Sequence, residues 1–167
     1  VLFVDFQARI PLVEEDKMLN YVMVCMLEDG LSSPANISRI VASGKTLLTQ
    51  AAGASILAFG HAYGAYQEIG KLMDGILARQ KKEGKPLSDV IKEVIKSRLD
   101  DPALGVSDLM LKDPMAKRMI ARAEKLGVAG QYVSLMKEIV KAAKKLSKKP
   151  VDIDLLGATG AVMFDLG

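Results

Sequence analysis

The sequence predicts an all-α fold. Apolar residues recur at helical spacing in several segments, whereas no segment alternates apolar and polar residues as a half-buried strand does. The chain has 167 residues, 50% of them apolar, with nine methionines and no tryptophan. Such a composition suits a globular core of aliphatic side chains. We therefore expect a single helical domain over residues 1–167, long enough to bury about 70% of the surface of the unfolded chain.

The N-terminal third of the chain contains three predicted elements. Residues 1–13 lack helical periodicity and are expected to be extended or irregular. Acidic residues then occupy the first turn of a helix predicted over 14–27, a position favoured by the helix dipole. Ser33 is the expected N-cap of the next helix, and this helix is expected to end at Gly44.

The middle of the chain is predicted to form three helices. Small side chains at 51–55 permit the close approach of another backbone, which is typical of a central helix or a dimer seam. Apolar residues at helical spacing predict a second helix over 64–77, and the polar residues 79–86 predict a surface connection. A third helix is predicted over 86–99.

The C-terminal part begins with a predicted loop. Residues 100–114 show no clear period and are bracketed by prolines, so a loop is expected there. Helical spacing then predicts helices at Pro114–Leu126 and Gly130–Ser147, and the apolar, small-residue stretch 155–167 predicts a last helix.

Composition excludes or disfavours several classes of function. No phosphate loop, dinucleotide fingerprint or zinc-ligand pattern is present, and Cys25 is the single cysteine, which favours a reduced compartment. The net charge of +3 comes from lysines interspersed with acids, so no nucleic-acid partner is expected. No membrane span or signal peptide is evident, and a cytoplasmic protein is expected. Because the chain starts at a residue other than methionine and Gly167 ends an apolar segment, we expect one or both ends to be incomplete.

The only histidine, His61, lies between Gly60 and Gly64 in "AFGHAYGAYQEIG". A lone histidine at a helix boundary is commonly structural. The flanking glycines also indicate exposed backbone, a setting that suits a ligand. Both readings stay open at this point.

Four segments together resemble the citrate synthase superfamily, most closely its citryl-CoA lyase branch. They occur in the family's order over residues 14–167 and read "EDGLSSPANISRIVASGKTLL", "AAGASILAFGHAYGA", "KDPMAKRMIARAEKLGVAGQYVSLMKEI" and "KKPVDIDLLGATGAVMFDLG". The resemblance implies a citrate synthase-like helical fold and a homodimeric enzyme acting on a coenzyme A thioester. The implied reaction is citryl-CoA cleavage to acetyl-CoA and oxaloacetate, or the reverse condensation, without a metal. The implied ligands are an acyl-CoA and a small dicarboxylic or tricarboxylic acid.

The resemblance also assigns roles to individual residues. Asp154 falls on the family's catalytic carboxylate, and His61 and Asp108 are the other candidate catalytic residues. Arg39 and Asp29 are candidates for substrate binding. The candidate coenzyme A ligands are Gly105, Val106, Ser107 and Lys112. The lysine-rich run 141–150 is a further candidate for the nucleotide phosphates, with a solvated helix face as the plainer reading.

Departures from the family pattern keep other interpretations open. Asp29 and Asp108 stand where the family usually has histidine, and a carboxylate donates a hydrogen bond to an enolate only when protonated. Asp154 is equally suited to capping the helix that follows it, and Arg39 to covering a polar helix face. The alternatives are therefore a non-catalytic acyl-CoA-binding or helical subunit protein and a helical assembly protein.

Overall fold

The computed structural model describes residues 1–27, 30, 32–59, 66–108 and 114–167. The helices are α1 Leu2–Gln7, α2 Val13–Cys25, α3 Ser33–Ser43, α4 Leu48–Leu57, α5 Tyr66–Glu83, α6 Leu87–Lys96, α7 Pro114–Leu126, α8 Gln131–Leu146 and α9 Leu155–Asp165. A 3₁₀ turn at Pro102–Leu104 precedes strand β1, Val106–Asp108, which pairs antiparallel with β2, Val151–Ile153. The predicted all-α class is confirmed.

Helix α9 is the centre of the packing. It contacts α5, α7 and α8, and its residues from Gly157 to Val162 are all buried. Glycine and alanine dominate this stretch, so the three surrounding helices approach its backbone closely. Larger side chains fill the space around it, with Ile69, Met119, Met136 and Ile139 each fully buried.

The remaining helices are arranged around that centre. Helix α6 packs on α5 and α8, and α2 packs on α7. Helices α3 and α4 pack mainly on each other, and we refer to residues 33–57 as the α3–α4 hairpin. The segment 51–55 is therefore not the central helix of the described chain, because Ala51 is its only buried residue.

Several predicted boundaries are wrong. Residues 2–7 form α1 rather than an irregular segment, and Phe3 of this helix joins the core. Ser32, not Ser33, caps α3, since its Oγ accepts from the Ala35 backbone N–H at 3.3 Å. Helix α5 continues to Glu83, because charged side chains on its last turns pair with each other and with Glu93 of α6.

The predicted loop at 100–114 contains regular structure. It includes the 3₁₀ turn and β1, whose partner β2 lies in the segment that joins α8 to α9. No helix in the described part of the chain has both the length and the apolar character needed to cross a bilayer.

Candidate functional site

Two glycines bring the β1 segment against the start of α9. Gly105 is buried and has a φ of 70°, in the left-handed region that favours glycine. A Cβ on Gly105 would lie 2.5 Å from the Cα of Gly157. The Asp154 backbone N–H donates to the Gly105 carbonyl oxygen at 3.2 Å. The segment that contains Gly105, Val106 and Ser107 is thus fixed beside Asp154.

Asp154 caps helix α9. Its Oδ1 accepts a hydrogen bond from the Gly157 backbone N–H at 2.8 Å, and the residue itself has extended backbone angles. An N-cap acceptor of this kind satisfies one of the free amides of the first helical turn. Asp154 therefore has the capping role that the sequence suggested as an alternative. A catalytic role for Asp154 stays a prediction.

Strand pairing sets the positions of Ser107 and Asp108. Ser107 lies opposite Asp152, and Asp108 lies opposite Val151. Asp154 follows Val151 by three residues, which at roughly 3.3 Å per residue separates Asp108 from Asp154 by about 10 Å along the ribbon. The two carboxylates predicted as catalytic therefore belong to opposite ends of the ribbon.

An open cleft of about 410 Å³ lies beside this ribbon. Val106, Ser107 and Asp108 line one side, and Lys148 and Lys149 from the connection between α8 and β2 line another. The lining includes the carboxylates of Asp100 and Asp108 as well as two exposed lysines, so an anionic ligand would bind at the lysine side of the cleft. The cleft thus joins two of the predicted coenzyme A ligands to the lysine-rich run.

Asp152 anchors the ribbon to the helices beneath it. Its side chain is 14% exposed, and its carboxylate oxygens lie 2.7 Å from Lys117 Nζ of α7 and 3.0 Å from Lys144 Nζ of α8. Burial raises the pKa of Asp152, but hydrogen bonds from Lys117 and Lys144 outweigh this and lower it to about 2. The sequence alone did not indicate this triad, because its members are separated along the chain and meet only in the folded protein.

Of the other predicted residues, only Arg39 is described, and it belongs to a different element from Asp154. Arg39 is exposed on the α3–α4 hairpin, where Nη1 donates to the Gly30 carbonyl at 2.5 Å and to Asn36 Oδ1 at 3.4 Å. Asp29, His61 and Lys112 lie outside the described residues. Within the described ranges, no group of three or more His, Cys, Asp or Glu side chains is arranged to hold a metal ion.

The architecture is that of a citrate synthase-like helical fold, with a buried C-terminal helix surrounded by helices and a short ribbon at its N-terminus. The solved structure of citryl-CoA lyase from Hydrogenobacter thermophilus has this fold and matches the chain with a TM-score of 0.83 and 23% sequence identity. The match covers 99% of this chain and 64% of the lyase chain, so the chain spans less than two thirds of that protein. No protein-family model and no curated protein matches the sequence. The resemblance predicted from the sequence is confirmed for the fold.

Proposed function

We propose that the chain belongs to an enzyme that cleaves or forms a carbon-carbon bond beside a coenzyme A thioester. The favoured reaction is cleavage of citryl-CoA to acetyl-CoA and oxaloacetate, or the reverse condensation. The observation that carries this proposal is the contact of Gly105 with Gly157, together with the hydrogen bond from Asp154 N to Gly105 O. Two segments that resemble the family's coenzyme A and catalytic segments are thereby adjacent in the fold.

The proposed chemistry assigns general-base catalysis to Asp154. In the cleavage direction, a base takes the proton of the citryl hydroxyl group, the bond between C2 and C3 breaks, and oxaloacetate leaves. The electron pair of that bond forms the enolate of acetyl-CoA, which is then reprotonated at carbon. In the condensation direction, Asp154 would remove the α-proton of acetyl-CoA, as a carboxylate held near an activated carbon can do.

The cleft beside the ribbon is the proposed coenzyme A site. Lys148 and Lys149 would contact phosphate groups, and the Ser107 hydroxyl group would offer a further hydrogen bond. Lys112 is proposed as another phosphate contact, and His61, Asp108, Arg39 and Asp29 remain proposals for the acid-binding part. A homodimer is proposed from the family resemblance.

Calorimetric titration with coenzyme A and acetyl-CoA, with and without oxaloacetate, tests the binding part of this proposal. We expect oxaloacetate to tighten acetyl-CoA binding, because both substrates of a carbon-carbon bond-forming enzyme occupy one site. The double variant Lys148→Gln, Lys149→Gln should weaken binding about tenfold or more, the loss expected for charge-assisted contacts. The charge-matched control Lys81→Gln, Lys82→Gln changes exposed lysines in the last turn of α5 and should bind normally. If the folded protein binds neither coenzyme A nor acetyl-CoA, the proposal that it is an enzyme of this class is refuted.

Asp154→Asn separates capping from catalysis. Asparagine is as good an N-cap as aspartate, so we expect the free energy of unfolding to change by less than about 1 kcal/mol. As an amide it is no base, so citryl-CoA cleavage should fall about a hundredfold or more. Cleavage assays and urea unfolding of the same preparation measure both effects. Full activity in Asp154→Asn would assign Asp154 to capping alone.

A second candidate function is a non-catalytic acyl-CoA-binding subunit. The replacement of family histidines by Asp29 and Asp108 favours it, together with the distance of Asp108 from Asp154 along the ribbon. This candidate predicts coenzyme A binding that oxaloacetate does not strengthen, and no cleavage of citryl-CoA.

A further inference from the structure

Two arginines of helix α7 have no carboxylate partner among the residues that the structure describes. Arg118 and Arg122 form no salt bridge with any carboxylate of the described chain, and the Nε atom of Arg122 is buried without a hydrogen-bond acceptor. Arg9, Arg79 and Arg98, by contrast, each pair with one or more carboxylates. A buried donor without an acceptor is unfavourable, so the position of Arg122 Nε indicates that an acceptor outside the described chain binds beside Arg118 and Arg122.

Arg118 and Arg122 lie on the face of α7 that carries the contact of Arg122 with helix α2. They are four residues apart on α7 and therefore lie on the same face of the helix. The Arg122 guanidinium carbon lies 5.8 Å from the centroid of the Tyr21 ring on α2. Burial raises the pKa of Tyr21, Cys25 one turn along raises it further, and the charges of Arg118 and Arg122 lower it. Arg122 is therefore held against the Tyr21 ring, and Arg118 lies one turn earlier on the same face of α7.

In the described part of the chain, no carboxylate accepts a hydrogen bond from the guanidinium groups of this cluster. Arg122 is half-buried and packed against an aromatic ring, so its side chain is held in place by packing rather than by a carboxylate. Arg118 is exposed and opens the site to solvent. Two like charges at this spacing repel each other, and an anion between them would remove that repulsion while accepting their hydrogen bonds.

We propose that Arg118, Arg122 and the Tyr21 hydroxyl group bind an oxyanion, either a carboxylate or a phosphoryl group, between α2 and α7. Guanidinium groups bind both with paired hydrogen bonds, since the oxygen spacing matches their fork of N–H donors. The site lies outside the cleft lined by Ser107, Lys148 and Lys149. The inference therefore does not depend on the proposed function.

Titrations with sodium citrate and with sodium phosphate, in low-salt buffer free of other polyanions, test the site. Each of Arg118→Gln and Arg122→Gln should weaken binding about tenfold or more, the effect of losing a charge-assisted contact. Arg98→Gln removes the same charge from the connection after α6, where Arg98 pairs with Asp101, and should change the affinity less than about twofold. Near-ultraviolet circular dichroism confirms that the variants are folded.

The two anions identify the ligand chemistry. Binding of citrate alone assigns a carboxylate, binding of phosphate alone assigns a phosphoryl group, and binding of both assigns a general oxyanion site. The proposal is overturned when the folded wild-type protein binds neither anion, or when Arg118→Gln and Arg122→Gln bind as tightly as wild type. An equal loss in Arg98→Gln would also overturn it, since only net charge would then matter.

Discussion

Gly157 lies at the closest backbone contact of the candidate site. A Cβ at this position would come within 2.9 Å of the Gly105 Cα and closer still to its carbonyl oxygen. Because both groups belong to the backbone, a rotamer change does not relieve the clash. We expect Gly157→Ala to lower the free energy of unfolding by about 3 kcal/mol, measured by urea denaturation.

The matched control for that change is Gly75→Ala. Gly75 is exposed within α5, and nothing lies within 4 Å of an added Cβ. Alanine there should raise the free energy of unfolding by about 0.5–1 kcal/mol, because it restricts the unfolded chain and favours helix. An equal, small effect of both substitutions would contradict the proposed backbone contact between Gly157 and Gly105.

Asp152 gives the fold a specific response to acid. Its pKa of about 2 in the folded protein lies below the ordinary value of 3.8, so its ion pairs stabilise the fold at pH values above the ordinary value. That stabilisation is lost as the pH falls from about 5 to about 1, and it amounts to roughly 2 kcal/mol at neutral pH.

Asp152→Asn tests this acid response. We expect wild type and variant to differ in the free energy of unfolding at pH 7 and to converge as the pH falls below about 2. Other carboxylates titrate in both proteins, so the difference between the two unfolding curves isolates Asp152. A difference that stays constant from pH 7 to pH 2.5 would show that its carboxylate is not paired in the folded state.

At the scale of whole elements, Asp165 joins the end of α9 to the start of α8. Its carboxylate accepts from the backbone N–H groups of Gly130 at 2.7 Å, Tyr132 at 2.9 Å and Val133 at 3.0 Å. A residue distant in sequence thus caps α8, whose own N-cap, Gly130, has no side chain. Charge-assisted bonds to free amides at a helix start are among the stronger capping contacts.

We expect Asp165→Ala to lower the free energy of unfolding by about 2 kcal/mol, because three amides of α8 lose their acceptor. Asp165→Asn keeps one side-chain oxygen, so its free energy of unfolding should lie between those of Asp165→Ala and wild type. Asp89→Ala is the control, since Asp89 is in the first turn of α6 but makes no capping hydrogen bond, and its loss should cost less than about 1 kcal/mol. Urea denaturation curves compare the variants, and equal losses at the two positions would refute the cap.

Long helices with a strong apolar period were predictable from the sequence. Apolar residues at helical spacing in α7 and α8 include Met119, Ile120, Val133 and Ile139, and these four are buried. Helix α1 was not predictable, because six residues contain less than two turns of the period. Strands β1 and β2 have three residues each, too few for alternation to be visible.

The candidate site was predictable only in part. The resemblance placed Gly105 and Asp154 in family segments, and the fold brings them together. Their contact, the pairing of Asp152 with Lys117 and the Asp165 cap depend on pairs separated by tens of residues. One sequence carries no signal for such pairs, since each member has an adequate local reading as a turn glycine, a helix cap or a surface charge.

For the whole molecule, the main contrast is between the helices around α9 and the α3–α4 hairpin. The former share one buried core, whereas the hairpin packs mainly on itself. Large apolar side chains along the hairpin face solvent. Each of the following is at least 68% exposed: Ile40, Leu47, Leu48, Ile56 and Leu57. Exposed apolar side chains concentrated in one element are typical of a protein interaction surface.

The proposed homodimer makes this surface testable. We expect the double variant Leu48→Gln, Leu57→Gln to weaken self-association at least about tenfold, measured by sedimentation equilibrium across a range of concentrations. Both side chains are at least 85% exposed in the single chain, so the free energy of unfolding of the monomer should change by less than about 1 kcal/mol. Met163→Gln removes a partly exposed apolar side chain from α9, an element outside the hairpin, and serves as the control. A wild-type protein that sediments as a monomer at all concentrations would refute the homodimer, and unchanged association of the double variant would move the dimer contact to another surface.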